Sequence, residues 1–369
     1  MGKKNFSSLI VVALLLGVIT YAQIIHTAEA PAVNFAVTQT AWNDALLKKA
    51  IALTAIQRFQ EALALTDTVI KLTPNEPSGY FFRAAVLQSR MMDYEDYNGD
   101  EKAFFDATGA CRKLAQTKLQ DHTIAGRDEA WAHFFLGSAM GYEAFFIGKK
   151  KRYLEAFRYG WQSIQHLEAA LKIDPQLYDA YLGIGTYKYY RSKMSKKFSW
   201  LPFVKDEREL GIRMIRLSIA KGHYSRTASI NGLGWILMDE NRPAEALALI
   251  DSALAIYPNS RFFLWSAGEA AYRVAHYEQA AAHYRLILES LQTEKHLSPY
   301  LELVARARLA RVYQADKKIE EACREVERIG TLSLSKHERE RGEEFLSAAG
   351  KYQKKCETTN GKNRQTEYE

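Results

Sequence analysis

The chain has 369 residues, 47% of them hydrophobic and 25% charged, a balance that excludes a disordered polymer and allows two domains or one elongated array. The formal charge of +7 is interspersed along the sequence. By itself it rules out neither nucleic acid nor an anionic membrane, but it forms no concentrated phosphate-binding tract, so no nucleic-acid partner is expected. Cys111, Cys323 and Cys356 are odd in number and far apart, which encodes neither a disulfide framework nor a CxxC metal pair. Buried or idle thiols are expected for at least two of them, the alternative being one bridge in an oxidising compartment.

Lys3 and Lys4 precede an apolar run from Leu9 to Ile19, followed by Thr20-Tyr21-Ala22. A basic start, a short apolar core and small residues at a cut site predict a secretory signal peptide over 1–22, with a linker over 23–40. The expected location is therefore the periplasm or cell envelope. Ala28-Glu29-Ala30 is an alternative cut site, although Pro31 would obstruct it. The alternative to cleavage is an anchor, because Ser8–Ile25 approaches the length needed to cross a bilayer.

Helical patterns fill the rest of the chain. A first pair opens near Asn43, with Phe59 and Ala62 in its second helix and a stop at Pro74. A second opens at Pro77 with Tyr80 and Ala84, and its second helix is atypically placed; the two pairs make up an N-terminal segment, 41–126. Residues 127–226 hold two irregular pairs. One begins near Ala130 with Leu136 and Gly137, ends at Pro175, and has helices about two turns longer than usual. The other opens at Tyr178 with Tyr181, Ile184 and Gly185, and carries a basic-aromatic insertion over 191–205. Residues 227–334 are regular. Thr227–Ser260 and Arg261–Glu294 are both 34 residues long and align without a gap, Gly234 over Gly268, Ala246 over Ala280 and Ile250 over Tyr284. A last pair runs from about Leu303, with Ala310, Tyr313 and Ala322. Ser335 and Glu338 form a capping-box pair opening a capping helix over 335–355, and the polar tail 356–369 reads as disordered.

This spacing resembles the tetratricopeptide repeat, with a small residue at position 8, Ala at 20, a larger apolar residue at 24 and Pro at 32. The likeness covers roughly 41–334, and the central segment is similar to a divergent, exported bacterial-type branch. It implies an all-α, right-handed solenoid of about seven helix pairs with a C-terminal capping helix. Small residues at 8 and 20 let the paired helices approach, and neighbouring pairs stack to share one core.

No catalytic, metal or cofactor signature stands out. Gly141 and Gly148 are six residues apart, with Lys150 where a phosphate loop needs Ser or Thr. His276 and His283 share a helix face but lack a third ligand, and read as solvated. Gly137-Ser138-Ala139-Met140-Gly141 has the wrong offset for a nucleophile elbow. The chain reads as a binding protein, not an enzyme.

The resemblance also implies where binding occurs, since in this family the first helix of each pair lines an inner groove. The matching positions here are Phe81, Trp131, Phe134, Leu182, Tyr189, Asn231, Trp235, Met238, Phe262, Trp265, Glu269, Tyr272, Arg311 and Gln314. Such a groove is aromatic and suits a protein or peptide partner. The alternatives are packing of these rings in the core, or closure of the groove into a pocket for a small molecule or lipid. In the insertion, Lys196 and Lys197 stand beside Phe198, Trp200 and Phe203. Basic plus aromatic residues suit an anionic membrane surface, or a loop packed on the next repeat with its lysines wet.

Overall fold

The computed structural model describes residues 41–95, 99–121, 123–195, 205–293 and 298–366. The expected signal peptide, the linker 23–40 and the insertion residues Lys196, Lys197, Phe198, Trp200 and Phe203 lie outside the described residues. Within them the chain is all helix and irregular connection, with no strand. Seven consecutive helix pairs follow one another. They are α1 (Ala41–Ala55) with α2 (Phe59–Leu72), α3 (Pro77–Tyr94) with α4 (Glu101–Gln120), and α5 (Arg127–Lys149) with α6 (Tyr153–Ile173). Next come α7 (Ala180–Ser195) with α8 (Arg208–Lys221), α9 (Arg226–Asp239) with α10 (Pro243–Leu254), α11 (Arg261–Arg273) with α12 (Tyr277–Thr293), and α13 (Pro299–Ala315) with α14 (Ile319–Gly330). Two more helices, α15 (Lys336–Arg341) and α16 (Glu343–Thr366), close the chain.

The same turn recurs within five of the seven pairs. Gln57, Lys151, Asn241, Ala275 and Lys317 all sit at φ between 57° and 63°. Each ends the first helix in a left-handed residue, and the next amide reaches back five residues: Arg58 N to Leu53 O, Arg152 N to Ile147 O, Arg242 N to Leu237 O, His276 N to Ala271 O and Lys318 N to Tyr313 O. These bonds satisfy carbonyls that a helix end leaves open, and they reverse the chain in two residues.

Close approach of the paired helices follows from small residues at matched places. Ala62, Ala156, Ala246, Ala280 and Ala322, each near the start of a second helix, are buried. On the first helices, a Cβ at Gly137 would lie 2.7 Å from the Ser163 carbonyl oxygen, and one at Gly268 would lie 2.8 Å from the Tyr284 ring. Only hydrogen fits at these crossings.

The chain divides into two compact units, with the boundary at residue 230 inside α9; residues 55–57 and 90–97 count with the second. In the first unit one hydrophobic cluster runs from Leu47 through Phe81, Phe82, Phe134, Phe135 and Leu167 to Tyr224. The Asp179 carboxylate accepts from the backbone N–H groups of His223, Tyr224 and Ser225 at 2.8–2.9 Å, and His223 Nε2 lies 2.5 Å from Asp44 Oδ1 on α1. This corner holds the Tyr224 ring 4.8 Å from Phe82 and 5.8 Å from Trp131.

In the second unit α16 covers the last pair, with Phe345, Leu346, Ala349 and Tyr352 packed against Leu303, Ala307, Val326 and Ile329. The expected single capping helix is broken at Gly342 into α15 and α16, and the Ser335/Glu338 capping box opens α15. α16 runs to Thr366. One expectation is corrected here. Cys323 and Cys356 are not idle thiols but form a disulfide joining α14 to α16; Cys111 is free and buried.

Candidate functional site: an arginine–aromatic face in the second unit

The first helices of pairs five to seven, α9, α11 and α13, carry a connected set of polar and aromatic groups. Helical spacing places Trp265, Glu269, Tyr272 and Arg273 on one side of α11, and Arg308 and Arg311 three residues apart on α13. The Arg311 guanidinium lies 4.1 Å from the Tyr272 ring centre, and that of Arg308 5.5 Å from Trp265. Arg311 Nη2 donates to Glu269 at 2.5 Å, and Arg273 Nε donates to the same carboxylate at 2.8 Å. Arg273 also donates to the Met238 carbonyl on α9 at 2.8 Å, so three helices are tied together.

The electrostatics follow from that geometry. Glu269 is only 8% exposed. Burial works against its charge, but Arg311, Arg273 and Arg308 outweigh burial and hold its pKa below the usual carboxylate value. Burial likewise opposes the Arg311 charge, and Glu269 more than offsets it, so that guanidinium stays charged. Three cations thus surround one carboxylate, leaving positive charge in excess beside two half-buried rings. An anionic group approaching Arg308 would meet a cation lying over the Trp265 ring.

The other expected groove positions divide in two. In the first unit Phe81, Phe134 and Tyr189 are enclosed by the chain's own side chains. Phe81 stacks on Tyr142 at 5.3 Å and meets Phe134 edge-on at 5.9 Å, while Trp131 lies 5.1 Å from Phe134. These rings form a core and present no open wall. In the second unit Trp235 is 37% exposed, and Asn231, Phe262, Trp265, Tyr272 and Arg311 are partly exposed. Met238 is buried. Arg273 and Arg308 are part of the face that the repeat positions do not reach. The run Arg306-Ala307-Arg308-Leu309-Ala310-Arg311 was the available signal, with cations at two- and three-residue steps on one helix.

Other titratable groups are held for packing. Glu143 is buried against Arg112 at 2.7 Å, and burial raises its pKa. His133 and His166 face each other through their Nδ1 atoms at 2.9 Å. His276 is exposed, but both ring nitrogens of His283 are buried without a hydrogen-bond partner, so the solvated reading fails for His283. No group of three or more His, Cys, Asp or Glu that could hold a metal occurs among the described residues. Between α12, α13 and α14 a groove of about 500 Å³ is lined by Arg285, Arg324 and Arg328 with Glu321 and Glu325, so it is a charged groove and not an apolar pocket.

Comparison with family models and with curated proteins finds no match. Among solved structures the chain is similar to the C-terminal part of a TPR repeat-containing protein from Cytophaga hutchinsonii, at 17% identity over 80% of this chain and 98% of that one, with a TM-score of 0.41. It is similar to the APC/C hetero-tetramer Cut9–Hcn1, at 15% identity over 80% of this chain and 48% of that one, TM-score 0.47. Yeast Tom70 aligns at 13% identity over 78% and 69% of the two chains, TM-score 0.32. What decides the fold is in the chain itself: seven consecutive helix pairs among the described residues, a left-handed turn inside five of them, and small residues where the helices cross. It is an all-helical array of consecutive helix pairs whose spacing resembles the tetratricopeptide repeat. In this array pairs five to seven are the regular repeats, and their first helices carry the arginine–aromatic face.

Proposed function

We propose that this tetratricopeptide-repeat chain is an exported scaffold that binds a protein or peptide partner on the α9–α11–α13 face of its second unit. The observation that carries the reading is the Arg308–Trp265 and Arg311–Tyr272 pairing, which puts excess positive charge on partly exposed aromatic rings. Arginine and aromatic residues concentrate binding energy at protein interfaces, because they bury much area and lose little freedom. The fitting partner is an acidic segment with an apolar or aromatic side chain.

Export is supported by the basic-then-apolar start of the sequence and by the Cys323–Cys356 bridge, since structural disulfides persist in oxidising compartments. Assembly or secretion work in the cell envelope is the setting that such a scaffold would serve.

The test is photo-crosslinking in the native envelope from position 265, with position 319 on α14 as control. A partner trapped from 265 and lost on Arg308→Glu, with helicity unchanged, supports the reading. Equal trapping from both positions, or trapping insensitive to Arg308→Glu, overturns it. A C-terminal alkaline phosphatase fusion that stays inactive would overturn export.

A further inference from the structure

The groove of about 500 Å³ between α12 and α14 has α13 beneath it. Each wall is one helix face: Arg285 and Glu289 on α12, and Glu321, Arg324 and Arg328 on α14. Leu309 and Tyr313 of α13 contribute to the floor. At one end Lys318, at the N-cap of α14, pairs with Glu278 of α12 at 2.9 Å, so the two helices start side by side and run the same way.

The floor is fixed before any guest arrives. Arg306 is 7% exposed and donates to Glu302 and Glu325 at 2.7 Å each. Arg328 donates to the other oxygen of Glu325, also at 2.7 Å. The walls are left more open. Beyond the Lys318 end, no ion pair among the described residues joins α12 to α14. Arg324 reaches only Glu321 of its own helix, at 3.8 Å, which is too far for a hydrogen bond. Glu289, on the other wall, is exposed and pairs with no described residue. One wall thus offers a cation in want of an acid, and the other an acid in want of a cation.

The dimensions decide what can lie between them. The lining spans two turns of each helix, about 10 Å at 1.5 Å per residue, which leaves a section of about 50 Å². A helix with its side chains is about 10–12 Å across and does not enter. An extended chain occupies about 4.8 by 10 Å and covers about 10 Å in three residues, so it fits. Its successive side chains point to opposite sides, and neighbours in sequence therefore reach opposite walls.

We infer that this groove binds an extended partner segment in which an acidic residue stands next to a basic one, the acid meeting Arg324 and the base meeting Glu289. The same charges two residues apart would fall on one side and leave a wall unanswered. The groove shares no residue with the arginine–aromatic face, so the inference does not rest on partner binding there.

The test is calorimetric titration of the full chain with two capped hexapeptides. Each holds one glutamate and one lysine among glycines, with the charges adjacent in one and two residues apart in the other. The adjacent peptide should bind about tenfold more tightly, the difference made by one more answered charge. Arg324→Glu and Glu289→Lys, both at exposed positions, should each remove that preference with helicity unchanged. The double variant should restore it, because the two charges have only exchanged walls. Equal binding of the two peptides overturns the inference, as does no binding of the adjacent one up to about 5 mM. A double variant no better than either single variant also overturns it.

Discussion

Arg311 is held by Tyr272 and Glu269 at once: its guanidinium carbon lies 4.1 Å from the ring centre, and its Nη2 lies 2.5 Å from the carboxylate. The ring fixes the plane and the acid fixes the direction, so the cation is set before any partner arrives. The folded pKa of Glu269 is below its ordinary 4.5. A depressed carboxylate contributes stability that is present above about pH 4.5 and lost as pH falls through the folded value. Glu269→Gln should therefore flatten the acid side of the stability profile below pH 4.5. At pH 7 it should cost about 1–2 kcal/mol, since Arg311 is partly exposed and the pair is partly screened. Urea titrations at several pH values check both, and an unchanged acid slope would remove Glu269 from its assigned role.

The Cys323–Cys356 bridge closes a sequence separation of 33 residues, from α14 to α16. Cross-linking a loop of that length removes unfolded-chain entropy worth about 3.5 kcal/mol at 25 °C. Cys356→Ser should lower the stability of the second unit by about that amount and expose the α16 footprint on Val326 and Ile329. Hydrogen exchange should show the loss of protection first in α16. Protection unchanged across α14 and α16 would mean that packing alone holds the helix.

Much of the repeat was legible because its chemistry is local. Arg58, Arg152 and Arg242 each stand three residues before Glu61, Glu155 and Glu245, and each Glu precedes a buried alanine. The marker repeats because every pair must turn sharply and then bring its second helix close. The fate of the aromatic positions was not legible. Phe81, Phe134 and Trp265 look alike in the repeat pattern, yet Phe81 and Phe134 are core and Trp265 is partly exposed. The first unit encloses its rings through contacts such as Asp44 with His223, 179 residues apart, and a periodicity of 34 carries no information about such pairs. The cysteine pairing was hidden for the same reason, because nothing in the spacing shows that α16 returns to α14.

Two glycines on equivalent first-helix positions should respond differently to alanine. At Gly137 the added Cβ meets the Ser163 carbonyl oxygen at 2.7 Å, which is backbone and cannot step aside without moving α6. At Gly234 it meets the Ile250 Cδ1 atom at 2.8 Å, the far end of a flexible side chain. Gly137→Ala should cost about 2–3 kcal/mol, whereas Gly234→Ala should cost under about 1 kcal/mol, because a rotamer change relieves the overlap. Thermal unfolding of the two variants gives the comparison, and equal losses would contradict the assignment of these contacts.

The His133–His166 pair gives a second pH dependence, in a different window. The two Nδ1 atoms are 2.9 Å apart and the rings are tilted by 33°, so one nitrogen donates and the other accepts. That bond needs at least one neutral ring. Burial pushes the pKa of both below 6.5; Glu129 pulls partly the other way on His133, while His133 adds to the lowering of His166. As pH falls through 6.5 the unfolded chain takes up protons that the folded chain still refuses, so stability declines from there to the folded pKa values. Replacing both residues with glutamine keeps a bond between the helices without a titrating group. The double variant should match the wild type at about pH 5 more closely than at about pH 7.5, because the pH-dependent loss belongs to the wild type alone. Urea midpoints at the two pH values decide it. Parallel losses in both proteins would place the titration elsewhere.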